Sequence, residues 1–174
     1  MKFRSLLVAS VFTLGAAFAA PAQAAPVRQP NAWGLGFMLG SPTGITAKHW
    51  LGGSDAIDIG VGAGPGFRVH ADYLWGVAQL LNNTSDLHLD FYIGAGGLLG
   101  VARGWCSWYD DHHRRYRSFC NDGGFLGVRV PVGLDFVLRR APISLGIEIA
   151  PGIVVSPHDA DALVDAFFFA RVKL

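Results

Sequence analysis

From Trp33 onward, apolar residues occupy every second position in eight runs, each bounded by turn-forming residues. Alternation with period two marks β-strands whose two faces meet different surroundings. Trp33–Gly40 sets Leu35, Phe37 and Leu39 against Gly34, Gly36 and Gly40, and Ser41-Pro42-Thr43-Gly44 follows with the composition of a type I turn. Ile45–Leu51 alternates Ile45, Ala47 and Leu51 with Thr46 and Lys48, ending at Gly52-Gly53-Ser54-Asp55. The third run places Ile57, Ile59 and Val61 opposite Asp58, Gly60 and Gly62. The fourth places Phe67, Val69, Ala71, Tyr73 and Trp75 opposite Arg68, His70 and Asp72. Leu87, Leu89, Phe91 and Ile93 oppose His88, Asp90, Tyr92 and Gly94 in the fifth. In the sixth, Val128, Val130, Val132, Leu134 and Phe136 oppose Arg129, Gly133 and Asp135, with Pro131 arguing for a bulge or a local edge. The seventh sets Ile143, Leu145, Ile147 and Ile149 against Ser144, Gly146 and Glu148. The eighth, Ala166–Leu174, sets Phe168, Ala170, Val172 and Leu174 against Arg171 and Lys173.

Periodicity does not say which face is inside, because a soluble lipocalin-like barrel alternates in the same way. Side-chain size favours one answer. The bulky Leu, Ile, Val and Phe residues would overfill an eight-stranded interior, and a solvent face made largely of glycine would be odd. The inverse arrangement puts apolar residues against lipid, with glycines and a few long charged side chains sharing a narrow lumen. The expected fold is therefore all-β, an eight-stranded antiparallel up-and-down transmembrane β-barrel. In that reading the longest connection, about Arg103 to Gly124, faces outward, while Gly76 to Asp86 is long for a periplasmic turn. Trp33 and Trp75 fall where an aromatic belt belongs, whereas Trp50 has the inward parity of Lys48 and fits it less well.

Composition agrees. Of 174 residues 23 are glycine, and 16% are charged against roughly 25% in an ordinary soluble domain, which argues against a charged helical bundle. Met1–Ala24 has Lys2 and Arg4 in front, an apolar stretch from Leu6 to Ala20 and an Ala22-Gln23-Ala24 site, the order of a secretory signal peptide. Cleavage is expected before Ala25, leaving 25–174 as one barrel domain with 12 Lys/Arg against 13 Asp/Glu, so nucleic acid is not an expected partner. Cys106 and Cys120, the only cysteines, would form an intraloop disulfide in an exported protein, with a chain-entropy gain of about 3 kcal/mol.

Three stretches carry a resemblance: Gly40-Ser41-Pro42-Thr43-Gly44-Ile45 leading to Lys48-His49-Trp50-Leu51, then His70-Ala71-Asp72-Tyr73-Leu74-Trp75, and Glu148-Ile149-Ala150-Pro151. Over most of the chain after the signal peptide, the sequence resembles the small eight-stranded outer-membrane β-barrels of the OmpA/OmpX type. Within them it is similar to short barrels that open with a Gly-x-Pro-Thr-Gly hairpin. The resemblance implies fold and an outer-membrane location in a Gram-negative-type bacterium; it brings no activity with it.

The inward face carries five cations, Lys48, Arg68, Arg129, Arg171 and Lys173, against five anions, Asp58, Asp72, Asp90, Asp135 and Glu148. Matched charges read as a salt-bridge network plugging the lumen. A conduit for ions would carry an excess of one sign. His70 with Asp72 and His88 with Asp90 share lumen parity on consecutive strands, so these four are candidates for a metal, and otherwise no metal or cofactor is expected. A lipid A-modifying enzyme would need its catalytic groups on the lipid-facing surface, and the only strand serine, Ser144, reads as inward. The 103–124 loop gathers Trp105, Trp108 and Tyr109 with Arg114, Arg115 and Arg117 around the two cysteines. These are residue types suited to phosphate and to contact surfaces, although the same aromatics could pack on one another in a solvated loop. The expectation is a monomeric, non-enzymatic barrel, envelope-structural or surface-interacting, touching outer-membrane lipid and lipopolysaccharide, with the lipid A enzyme and the soluble ligand-binding barrel as alternatives.

Overall fold

The computed structural model describes residues 32–64, 66–81, 87–102, 123–138, 141–157 and 159–174. They form nine strands: β1 (Trp33–Ser41), β2 (Thr43–Gly52), β3 (Asp55–Ala63), β4 (Gly66–Leu81), β5 (Leu87–Ala102), β6 (Gly123–Arg129), β7 (Val132–Leu138), β8 (Ile143–Ser156) and β9 (Asp159–Lys173). All pairings are antiparallel, and β1 pairs with both β2 and β9, so the sheet closes into a ring.

β6 and β7 share one place in that ring. Both pair with β5 on one side and β8 on the other, in registers that run on unchanged across Val130 and Pro131. Nine strands thus occupy eight positions, and Pro131 produces neither the bulge nor the edge expected of it. Proline removes an N–H from the ladder, but its fixed φ still fits an extended chain.

The registers also fix how the ring closes. A path from Val172 through Leu35, Ala47, Ile59, Ala71, Gly97, Val128 and Ile153, each facing the next, returns to β9 at Ala162, ten residues from its start. With ~3.3 Å per residue along a strand and ~4.8 Å between strands, that stagger over eight positions tilts the strands by about 40° to the ring axis.

Several strands outrun their alternating stretches. β4 continues to Leu81, so its connection to β5 is 82–86 rather than Gly76 to Asp86. Register shifts between Gly76 and Ala78 and between Gln79 and Leu81 break the alternation there. β5 runs on to Ala102, β8 to Ser156, and β9 begins at Asp159 rather than Ala166.

The two faces differ sharply. Outward lie Leu35, Phe37, Ile45, Leu99, Leu126, Val128, Ile149 and Phe168, with Phe37 and Phe168 both 67% exposed. Inward, large side chains lie across glycines that face them on the neighbouring strand. His70 covers Gly60, Tyr92 covers Gly133 and Phe169 covers Gly146; a methyl group added at any of the three would sit 2.2 or 2.3 Å from the covering side chain. These three inner glycines are therefore seats for neighbours, not open space. Trp50, Ala56, Leu74 and Tyr92 form one buried apolar cluster in the interior, and Met38, Phe167 and Phe169 form a second.

Candidate functional site

Charged side chains fill the interior between and around these clusters. At its centre the Arg129 guanidinium, from β6, meets carboxylates from three other strands. Its Nε donates to Asp72 Oδ1 at 2.9 Å, its Nη2 to Glu148 Oε1 at 3.0 Å and its Nη1 to Asp165 Oδ2 at 3.2 Å. A further bond joins Nη2 to Asp72 Oδ2, making the Asp72 pairing two-pronged, the geometry in which arginine binds carboxylate best. Glu148 accepts a second bond, from the Tyr92 hydroxyl at 2.8 Å.

Satellite pairs surround this centre. Arg68 reaches Asp165 at 2.7 Å and donates to Ser41 Oγ at 3.0 Å. Arg171 donates from Nη2 to Asp58 at 2.6 Å and to Thr46 Oγ1 at 2.9 Å, while the Thr46 hydroxyl donates to Asp58 at 2.9 Å. The Arg171 guanidinium also lies 3.9 Å from the Phe169 ring centre. Lys48 donates to Asp135 at 3.0 Å, with its ammonium 4.5 Å from the Tyr92 ring centre and 5.4 Å from that of Trp50.

Nine of the ten expected inward charges are buried; Lys173 is half-buried, its ammonium 5.2 Å from the Trp50 ring. Asp165 is the member that sequence reasoning missed. It lies in the part of β9 before Ala166, and inward Leu163 on one side of it and Phe167 and Phe169 on the other hide the alternation. Counting back by twos from Arg171 would have reached it. With Asp165 added, six buried carboxylates (Asp58, Asp72, Asp90, Asp135, Glu148, Asp165) face four buried cations among the described residues, rather than five facing five.

The two His-x-Asp pairs do not converge. Asp72 faces Gly96 on β5, six residues along that strand from Asp90, so the pairs occupy different levels. His70 lies over Gly60 with Nε2 3.9 Å from Asp72 Oδ2, and His88 contacts Gln79. Among the described residues no three His, Cys, Asp or Glu are placed to hold a metal ion. Trp50, expected to sit poorly in an aromatic belt, is buried in the interior cluster, whereas Trp33 and Trp75 are exposed. Ser144 is fully buried on the inner face, away from any outward catalytic arrangement.

Trp105, Cys106, Trp108, Tyr109, Arg114, Arg115, Arg117 and Cys120 lie outside the described residues, as does the segment 1–24. A recess of about 20 Å³ beside Lys48, Asp90 and Tyr92 has room for a single water molecule. The arrangement ties strands together with charge and hydrogen bonds around a filled centre. No known family model, curated protein or solved structure matches the chain.

Proposed function

We propose that the protein is a non-enzymatic transmembrane β-barrel of a bacterial outer membrane, exported by residues 1–24, its eight strand positions running up and down around a plugged interior. The observation that carries this reading is the inversion of faces. Charged Arg129, Arg171, Asp58 and Asp135 are buried while Phe37, Leu99, Leu126 and Phe168 cover the outside. A closed sheet satisfies its own backbone groups, so such a surface suits hydrocarbon and would be a liability in water. The strand tilt of about 40° lies in the range of membrane barrels. The charged filling also speaks against a lipocalin-like ligand cavity, which needs apolar space inside.

In this reading the barrel stands as a monomer among outer-membrane lipids. The segment 103–122 between β5 and β6, closed by a Cys106–Cys120 disulfide, would offer Arg114, Arg115 and Arg117 with Trp105, Trp108 and Tyr109 to lipopolysaccharide phosphates or another surface partner. The test is fractionation of expressing cells with unboiled and boiled electrophoresis of the purified protein. The expected result is recovery in the outer membrane with heat-modifiable migration. Recovery as a soluble protein, without a detergent requirement, would refute the proposal.

A further inference from the structure

In an antiparallel ladder, facing hydrogen-bonded residues exchange two bonds. Gly94 N donates to Pro131 O at 2.7 Å, but Pro131 has no N–H to return to Gly94 O. One residue earlier, Val130 N donates to Pro151 O at 2.9 Å, and Pro151 likewise has none to return to Val130 O. Two ladder bonds are therefore missing at consecutive residues of one strand position, one toward β5 and one toward β8. By contrast, the facing stretches Ile45–Trp50 and Ala56–Val61 of β2 and β3 contain no proline.

Side chains span this gap from inside. Tyr92 on β5, Gly133 on β7 and Glu148 on β8 face one another in a single row, two residues from Pro131. The Tyr92 hydroxyl passes over Gly133 to donate to Glu148 at 2.8 Å, a crossing that a methyl group at Gly133 would block at 2.3 Å. The other Glu148 oxygen accepts from Arg129 on β6 at 3.0 Å. One carboxylate of β8 thus binds both β6 and, across Gly133, β5 beside the weakened ladder, while outside it Ile93, Val130 and Ile149 present apolar surface.

We propose that the wall has a lateral seam at Val130–Pro131 and that Tyr92, Glu148 and Arg129 form the latch that holds it shut. Opening the latch gives the charged interior a sideways path to the surroundings of the outer face, independent of either end of the ring.

The test is residue-resolved amide hydrogen exchange on the full chain folded in detergent micelles, for the parent, Tyr92→Phe and Pro131→Ala. In the parent, the amides of Gly94, Val130 and Val132 exchange faster than those of Ala47 and Ile59. Tyr92→Phe raises exchange at the three seam amides by about tenfold, the equivalent of one lost hydrogen bond, and leaves Ala47 and Ile59 unchanged. Pro131→Ala restores a donor and slows the seam. Equal protection at the two places in the parent overturns the proposal, as does a rise with Tyr92→Phe that is the same in every strand. Should Tyr92→Phe fail to fold, Pro131→Ala decides alone: seam exchange that does not slow rejects the seam.

Discussion

Arg129 is 1% exposed and faces Asp72, Glu148 and Asp165, which come from β4, β8 and β9. Removing a buried ion's partner costs more than the pair itself contributes, because the remaining charge keeps its desolvation penalty. Arg129→Ala leaves three carboxylates together, with Arg68 the one arginine or lysine among the described residues still paired with any of them, at Asp165, and the Tyr92 hydroxyl still bonded to Glu148. The expected loss is about 3–5 kcal/mol of unfolding free energy. Glu148→Gln leaves Arg129 its bonds to Asp72 and Asp165 and should cost about 1 kcal/mol. Denaturant unfolding in detergent, followed by tryptophan fluorescence, separates the two, and equal midpoints would mean that Arg129 is not the centre of the network.

At the scale of the strand, the outward positions decide what surrounds the ring. Ile59 is the middle residue of β3, and Trp33 begins β1. In the proposed membrane setting, Ile59→Arg should cost about 2–4 kcal/mol in lipid vesicles, and an arginine at Trp33 only about 0–1 kcal/mol beyond the lost tryptophan packing, since the penalty follows depth. An unfolding series that shows the same charge penalty at both sites counts against a hydrocarbon band. The strands themselves were legible where one residue in two is apolar: the runs beginning at Trp33, Ile45, Ile57, Phe67, Leu87, Val128 and Ile143 all fall in strands. They were illegible where that rule lapses for a physical reason. The extra residues of two register shifts break it in β4 after Gly76, and the small residues of Gly94-Ala95-Gly96-Gly97 blur it in β5. In β9, apolar Phe167 and Phe169 fill the inner side next to outward Phe168. The same lapse concealed Asp165: its flanking residues Val164 and Ala166 face outward as parity requires, but apolar Leu163 and Phe167 on its own inner side hide the pattern, whereas the other charged members could be read by parity. The contacts of Tyr92 with Glu148 across Gly133 depend on register between strands, which a single strand's pattern does not contain.

At the scale of the whole ring, an eight-position wall is just wide enough inside for its own side chains. Here Arg129, Arg171, Trp50 and Tyr92 take up that room. Purified protein in planar bilayers should therefore give no stable stepwise conductance, and reproducible unitary steps would contradict a plugged interior. The glycine seats have a consequence for how such a ring is assembled. A slip of two residues between neighbouring strands keeps every outward side chain outside and every inward one inside, so the alternating pattern is blind to that error. The seats are not blind to it: two residues off, Tyr92 would meet Asp135 or Pro131 instead of Gly133, and Phe169 would meet Ser144 or Glu148 instead of Gly146. Bare positions beneath His70, Tyr92 and Phe169 act as keyed notches that proofread strand alignment, rejecting mismatched closures that hydrophobicity alone would accept.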